Sequence, residues 1–163
     1  MTWETAADKR LRGCIGTLTP RHLHGGLREY ALHSGTRDGR FPPIERAELT
    51  SLACKLSLLH SYERARDFLD WDISVHGVTI EFEDENEYGE ASTRSATYLP
   101  GVVEEQGWSK EEALASLMRK AGYGGVASRD KLRSLAVTRY RSSAARVTYD
   151  EYVRERGLSS SVG

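Results

Sequence analysis

The run Leu11-Arg-Gly-Cys-Ile-Gly16 places a guanidinium two residues from a thiol. In an extended strand, side chains two apart share a face and lie about 6.6 Å apart. A fixed positive charge near a thiol favours the thiolate, so Cys14 is a candidate nucleophile and Arg12 a candidate ligand for an anion. Gly13 and Gly16 flank the pair without side chains of their own. Glycine inside a strand often marks close approach of a ligand or of another backbone, which makes both glycines candidate ligand-binding positions. The competing reading is a small thiol packed under a bulge, with the glycines serving the backbone. Cys54 supplies the contrast, because it falls between Leu52 and Leu56 on one apolar face and reads as core.

A nucleophilic thiol needs a base, and His76 is the weak candidate. It shares strand parity with Val78, Ile80 and Phe82, which suits a core histidine better. Arg139 shares parity with Leu135 and Val137 and is a further candidate for holding an anion. Asp70-Trp71-Asp72 brings two carboxylates to an aromatic, and reads as an acidic turn before a strand rather than an acid–base pair. His22 and His24 are two apart and do not share a helix face. With two cysteines and no His-Glu-x-x-His, no metal site is expected. No glycine-rich phosphate loop is present, and the cofactor, if one exists, is not readable.

The elements that must position these residues alternate short strands with helices. Leu11–Leu18 reads as a strand, followed by a helix that starts at Thr19-Pro20 and turns Leu23, Leu27, Tyr30, Ala31 and Ser34 inward. Ser51–Leu59 alternates, with Leu52, Cys54, Leu56 and Leu58 on one face. Residues 75–99 read as a hairpin with a long acidic connection over 83–93. Ser109-Lys-Glu-Glu112 is a capping box, and Leu114, Leu117, Met118 and Ala121 continue it as an apolar stripe that Gly122 closes in a left-handed conformation. Leu132–Arg141 and Arg146–Thr148 read as two more strands, and Tyr149–Arg156 as a closing helix. The pattern predicts an α+β fold with a mostly antiparallel sheet and inserted helices. Residues 1–157 form the expected domain, and 158–163 a disordered tail.

Composition narrows the function. The chain has 163 residues, 39% hydrophobic and 29% charged, with a net charge of −1. That is enough apolar material for one sizeable core and excludes a long disordered chain or a broadly cationic nucleic-acid coat. No apolar run is long enough to span a membrane, and the opening Met1-Thr-Trp-Glu-Thr lacks the pattern of a secretory leader. The expected location is cytoplasmic and/or nuclear. The near-zero total hides an acidic middle and a basic later third. Residues 81–112 hold ten acids against Arg94 and Lys110, and residues 119–146 hold eight bases against Asp130. A basic surface of that kind suits an anionic partner or, as the weaker reading, nucleic acid.

The hexapeptide is followed, in order, by Arg40-Phe-Pro-Pro43, Asp70-Trp71 with His76-Gly77, and Arg94-Ser-Ala-Thr-Tyr-Leu-Pro100. Glu105-Gln-Gly-Trp108, Arg119-Lys120 with Gly122-Tyr123, and Thr138-Arg-Tyr-Arg-Ser142 complete the series. The ordered set resembles the AMMECR domain family, named for a region linked to Alport syndrome, midface hypoplasia and elliptocytosis. The flavour is that of its eukaryotic branch, and the likeness extends from Asp8 to about Arg156. The resemblance implies a larger and a smaller lobe around a cleft that holds the hexapeptide. It implies no established reaction. Prokaryotic relatives occur with Memo-type dioxygenase-like and radical-SAM proteins, which the resemblance makes expected partners. Against the family pattern, an opening helix and strand are not found before the hexapeptide. Ser74, Gly101 and Ala121 also stand where a glycine, an acidic residue and a glycine are usual.

Two functions remain open at this level. One is a cleft, floored by Arg12 and Cys14, that binds a small anionic ligand and carries thiol-based catalysis. The other is a non-catalytic adaptor or regulatory module that binds a protein partner or, less favoured, nucleic acid through the basic 119–146 surface.

Overall fold

The computed structural model describes residues 1–85 and 91–157. The expected tail, 158–163, and the middle of the acidic connection, 86–90, lie outside the described residues. The elements run β1 (Thr2–Thr5), β2 (Leu11–Cys14), α1 (Leu23–Thr36), a 3-10 turn (Arg46–Ser51), β3 (Leu52–Arg64), β4 (Gly77–Glu85) and β5 (Ala91–Tyr98). They continue with α2 (Val102–Glu105), α3 (Lys110–Lys120), α4 (Arg129–Arg133), β6 (Ala136–Thr148) and α5 (Tyr149–Glu155). The strands follow the order β2-β1-β3-β6-β4-β5. The pairs β1–β2, β1–β3, β4–β5 and β4–β6 are antiparallel. This is the α+β class that the sequence predicts.

The chain divides into two compact units. The first draws on Met1–Leu58 and on the chain from Ser143 onward. Here β1 lies between β2 and β3, and α1 packs on β1 and β2. Trp3 fastens strand to helix, its indole Nε1 donating to the carbonyl of Ala31 at 2.9 Å. Gly13 lets β2 reach α1: a Cβ there would stand 1.9 Å from the carbonyl oxygen of Ser34. The backbone at Gly13 is not left-handed, so its need for glycine is steric. Leu52 and Ala53 are buried, and buried Glu4 pairs with Arg146 at 2.7 Å.

The second unit, Leu59–Ser142, holds a continuous apolar core. Val78, Ile80 and Phe82 of β4 meet Leu114, Leu117 and Met118 of α3, with Trp71, Leu132 and Val137. The α3 start has the expected capping box. Ser109 Oγ accepts from Glu112 N, and the Glu112 carboxylate accepts from Ser109 N at 2.8 Å. Gly122 ends the helix at φ +87°. Arg94 Nη1 donates to the Gly122 carbonyl at 2.9 Å, placing a cation at the negative helix end. Arg94 Nε also stands 2.8 Å from Asp84, close enough for an ion pair though not aligned as a hydrogen bond.

Several boundaries differ from expectation. β2 stops at Cys14 rather than Leu18, and α1 begins at Leu23 rather than at Thr19-Pro20. Thr17 Oγ1 accepts from Thr19 N at 3.0 Å, a local turn that competes with helix at the intended start. Leu23 is consequently exposed rather than inward. β6 is one strand across 136–148 where two were expected, because Ser142-Ser-Ala-Ala145 carries no Gly, Pro, Asn or Asp and the strand continues through it. Leu132 belongs to α4, capped by Ser128. The acidic connection is shorter than expected, since β4 and β5 pair out to Glu85 and Ala91.

Candidate functional site

The antiparallel register sets the geometry of the hexapeptide. Thr2 stands opposite Cys14, and the flanking Met1 and Ile15 exchange backbone hydrogen bonds. Thr2–Cys14 is therefore the non-hydrogen-bonded kind of pair, in which side chains approach closely and peptide groups turn outward. Both consequences are present. Thr2 Oγ1 lies 3.3 Å from the exposed Cys14 Sγ. The outward peptide groups of Cys14 are taken by two side chains. Its N–H donates to Asp38 Oδ2 at 2.8 Å, and its carbonyl accepts from Arg40 Nη2 at 3.2 Å.

Asp38 and Arg40 are held to each other by hydrogen bonds of 2.7 and 2.9 Å. Asp38 Oδ1 also accepts from Arg40 N at 3.2 Å, an Asx turn around Gly39. The Arg40 guanidinium, together with the Cys14 N–H, holds the Asp38 carboxyl well below the usual carboxylate range. The Asp38 side chain is 7% exposed and that of Arg40 59%, so the pair's positive member faces solvent. Sequence reasoning did not single out either residue as a site. Their signal is the Asp-Gly-Arg turn, 24 residues from the cysteine that it serves.

The other hexapeptide residues have defined roles. Arg12 donates to both oxygens of Glu48, at 2.8 and 2.9 Å, and to the carbonyls of Pro42 and Pro43. Its guanidinium thus fastens the Phe41-Pro-Pro43 segment and the 3-10 turn to β2. Gly13 admits the backbone of α1, whereas nothing stands within 4 Å of a Cβ at Gly16. Cys54 is half-buried, and burial pushes its thiol pKa up.

His76 and Arg139 lie in the second unit. The ring of His76 is buried, and its Nδ1 accepts from Asp72 N at 2.9 Å. Burial first, then the nearby Arg139 charge, depress its pKa, so the ring is neutral and Nδ1 is spoken for. Arg139 donates to Glu63 at 2.9 and 3.2 Å, and to the carboxylate and carbonyl of Asp70, each at 2.9 Å. Arg66 closes the cluster on Asp70 at 2.9 Å, and it leads the interactions that hold that carboxyl below the usual range. Asp70 is therefore an ion-pair partner. Among the described residues, no group of three His, Cys, Asp or Glu is placed to hold a metal. Several basic residues of 119–146 are paired: Arg129 with Glu111, Arg133 with Asp130, Arg139 with Glu63 and Asp70, and Arg146 with Glu4.

An antiparallel α+β sheet protein, with an exposed cysteine on an outer strand closed by an Asp–Arg pair, is the class that these features define. The family model described as AMMECR1 matches residues 1–145, and the chain belongs to that family. It is 48% identical to an uncharacterised protein of Arabidopsis thaliana, over 94% of this chain and 72% of that one. An uncharacterised protein of Schizosaccharomyces pombe is 43% identical, over 93% and 74%. A crystal structure of an uncharacterised protein of Pyrococcus horikoshii superposes with a TM-score of 0.62 at 25% identity, covering 89% of this chain and 70% of that one.

Proposed function

We propose that this AMMECR1-family protein, in the cytoplasm and/or nucleus, binds a small anionic ligand beside Cys14 and presents its thiol to it. The observation that carries the reading is a solvent-facing guanidinium seated on the backbone carbonyl of an exposed cysteine. Arg40 reaches the Cys14 carbonyl, and its charge is steadied by Asp38. In this arrangement Arg40 meets the anion, while Arg12 braces the strand through Glu48. Native mass spectrometry of protein purified from its own cells tests the proposal. A co-purifying anionic molecule should be present in the wild type and lost in Arg40→Gln. Wild-type protein that carries none, or an Arg40→Gln variant that keeps it, rejects the reading.

One observation favours the second reading, a non-catalytic module. Among the described residues, the Sγ of Cys14 has the Thr2 hydroxyl as its hydrogen-bond neighbour, and no base is placed there. On that reading the protein docks a protein partner, such as a Memo-type or radical-SAM protein, through the basic later third. Pull-down lost in Arg141→Glu but kept in Cys14→Ser supports it. The nucleic-acid variant predicts binding that falls steeply with salt.

A further inference from the structure

A concave site lies in the first unit, built from residues other than those around Cys14. Trp3 of β1, Cys54 of β3, Leu49 of the 3-10 turn, and Tyr149 and Tyr152 of α5 line a half-open pocket of about 250 Å³ with an almost wholly apolar wall. We propose that this pocket binds a small, uncharged aromatic molecule of bicyclic size.

Three observations fix that class. The first is volume: an apolar cavity of roughly 150 Å³ accepts benzene, so this one has room for a fused second ring. The second is polarity. Among the described residues, no charged side chain lines the pocket. The Trp3 indole N–H is committed to the Ala31 carbonyl, and the Cys54 thiol contacts the Met1 sulfur at 3.3 Å. Thr148 Oγ1 is engaged in the α5 cap, donating to Glu151. An ion entering here would lose its water against an almost wholly apolar wall, which disfavours the anionic ligand proposed for Cys14. The third is the presence of three aromatic side chains from two separate elements, which offer the edges and faces that an aromatic guest prefers.

Cys54 provides the readout and Cys14 the internal control. Indole is titrated into the intact protein while iodoacetamide alkylation of each cysteine is followed by peptide mass spectrometry. Saturable, one-to-one binding is expected at or below about 1 mM. At ten times the dissociation constant, alkylation of Cys54 should slow by about tenfold, because roughly one molecule in eleven is then unoccupied. Alkylation of Cys14 should not change. Leu49→Trp, which fills the pocket from its partly exposed side, should abolish both binding and protection. No saturable binding, equal slowing at both cysteines, or unchanged affinity in Leu49→Trp overturns the proposal. Protection of Cys54 that rises with protein concentration and without indole also overturns it, assigning the pocket to a second copy of the chain.

Discussion

Replacing Gly13 by alanine asks whether the glycine of the hexapeptide serves a ligand or the fold. The added Cβ would stand 1.9 Å from the Ser34 carbonyl oxygen. Ordinary carbon–oxygen contacts lie near 3.3–3.6 Å, so β2 and α1 must separate by roughly 1.4 Å or more. Neither element is free to do so. Trp3 ties β1 to α1 through Ala31, and the Cys14 N–H is held by Asp38. The offending atom is backbone, which has no rotamer to change. Overpacking of this kind costs about 3 kcal/mol, at the upper end of its usual range. For a chain of this size that lowers Tm by roughly 6–12 °C. Gly16→Ala is the matched control, since nothing lies within 4 Å of its Cβ, and its Tm should stay within about 2 °C of wild type. Thermal melts followed by near-UV circular dichroism read both. A Gly13→Ala protein that melts within about 2 °C of Gly16→Ala would refute the close-approach argument and return Gly13 to the ligand reading.

Cys14 should alkylate faster than Cys54 at neutral pH in the folded protein, because one thiol is exposed and the other is half-buried with a raised pKa; equal rates by mass spectrometry would contradict this. Ser109→Ala should cost about 1 kcal/mol in urea unfolding, through loss of the α3 capping box. The depressed pKa of His76 means that the unfolded chain takes up a proton first as pH falls. Its contribution is therefore complete above about pH 6.5 and lost as pH drops toward the folded value, a decline that His76→Gln should remove from urea melts taken across that range. Asp38 and Asp70 are depressed carboxyls, so their contribution is present above about pH 4 and lost below it; Asp38→Asn should flatten that acid limb, and an unaltered limb would argue against the Asp38–Arg40 pair.

What the sequence made legible was local. The box at Ser109, the stripe Leu114, Leu117, Met118 and the alternation Val78, Ile80, Phe82 are short-range patterns, and all three are where the periodicity puts them. β1 is a strand ahead of the hexapeptide, where the resemblance gave none, and its four residues are too few to show alternation. The surroundings of Cys14 were hidden for a different reason. Strand parity associates Arg12 with Cys14, but it is silent about Glu48, 36 residues on, which engages Arg12 through two hydrogen bonds. It is equally silent about Asp38 and Arg40. Parity for Arg139 gives its side of the strand, while its partner Asp70 lies 69 residues away. Long-range ion pairs follow from topology, and topology is not written in any one segment.

The Asp38–Arg40 pair has a consequence for how copies of the chain meet. β2 ends the strand order, and an outermost strand presents unclaimed peptide groups as a template for a further strand. At Cys14 that template is already filled by a carboxylate and a guanidinium standing where a neighbour's backbone would lie. An incoming chain would have to displace both side chains from the Cys14 N–H and carbonyl before its own backbone could pair there. Strand addition is therefore opposed at this residue, where the pair beside the thiol already occupies the peptide groups that a second copy would need.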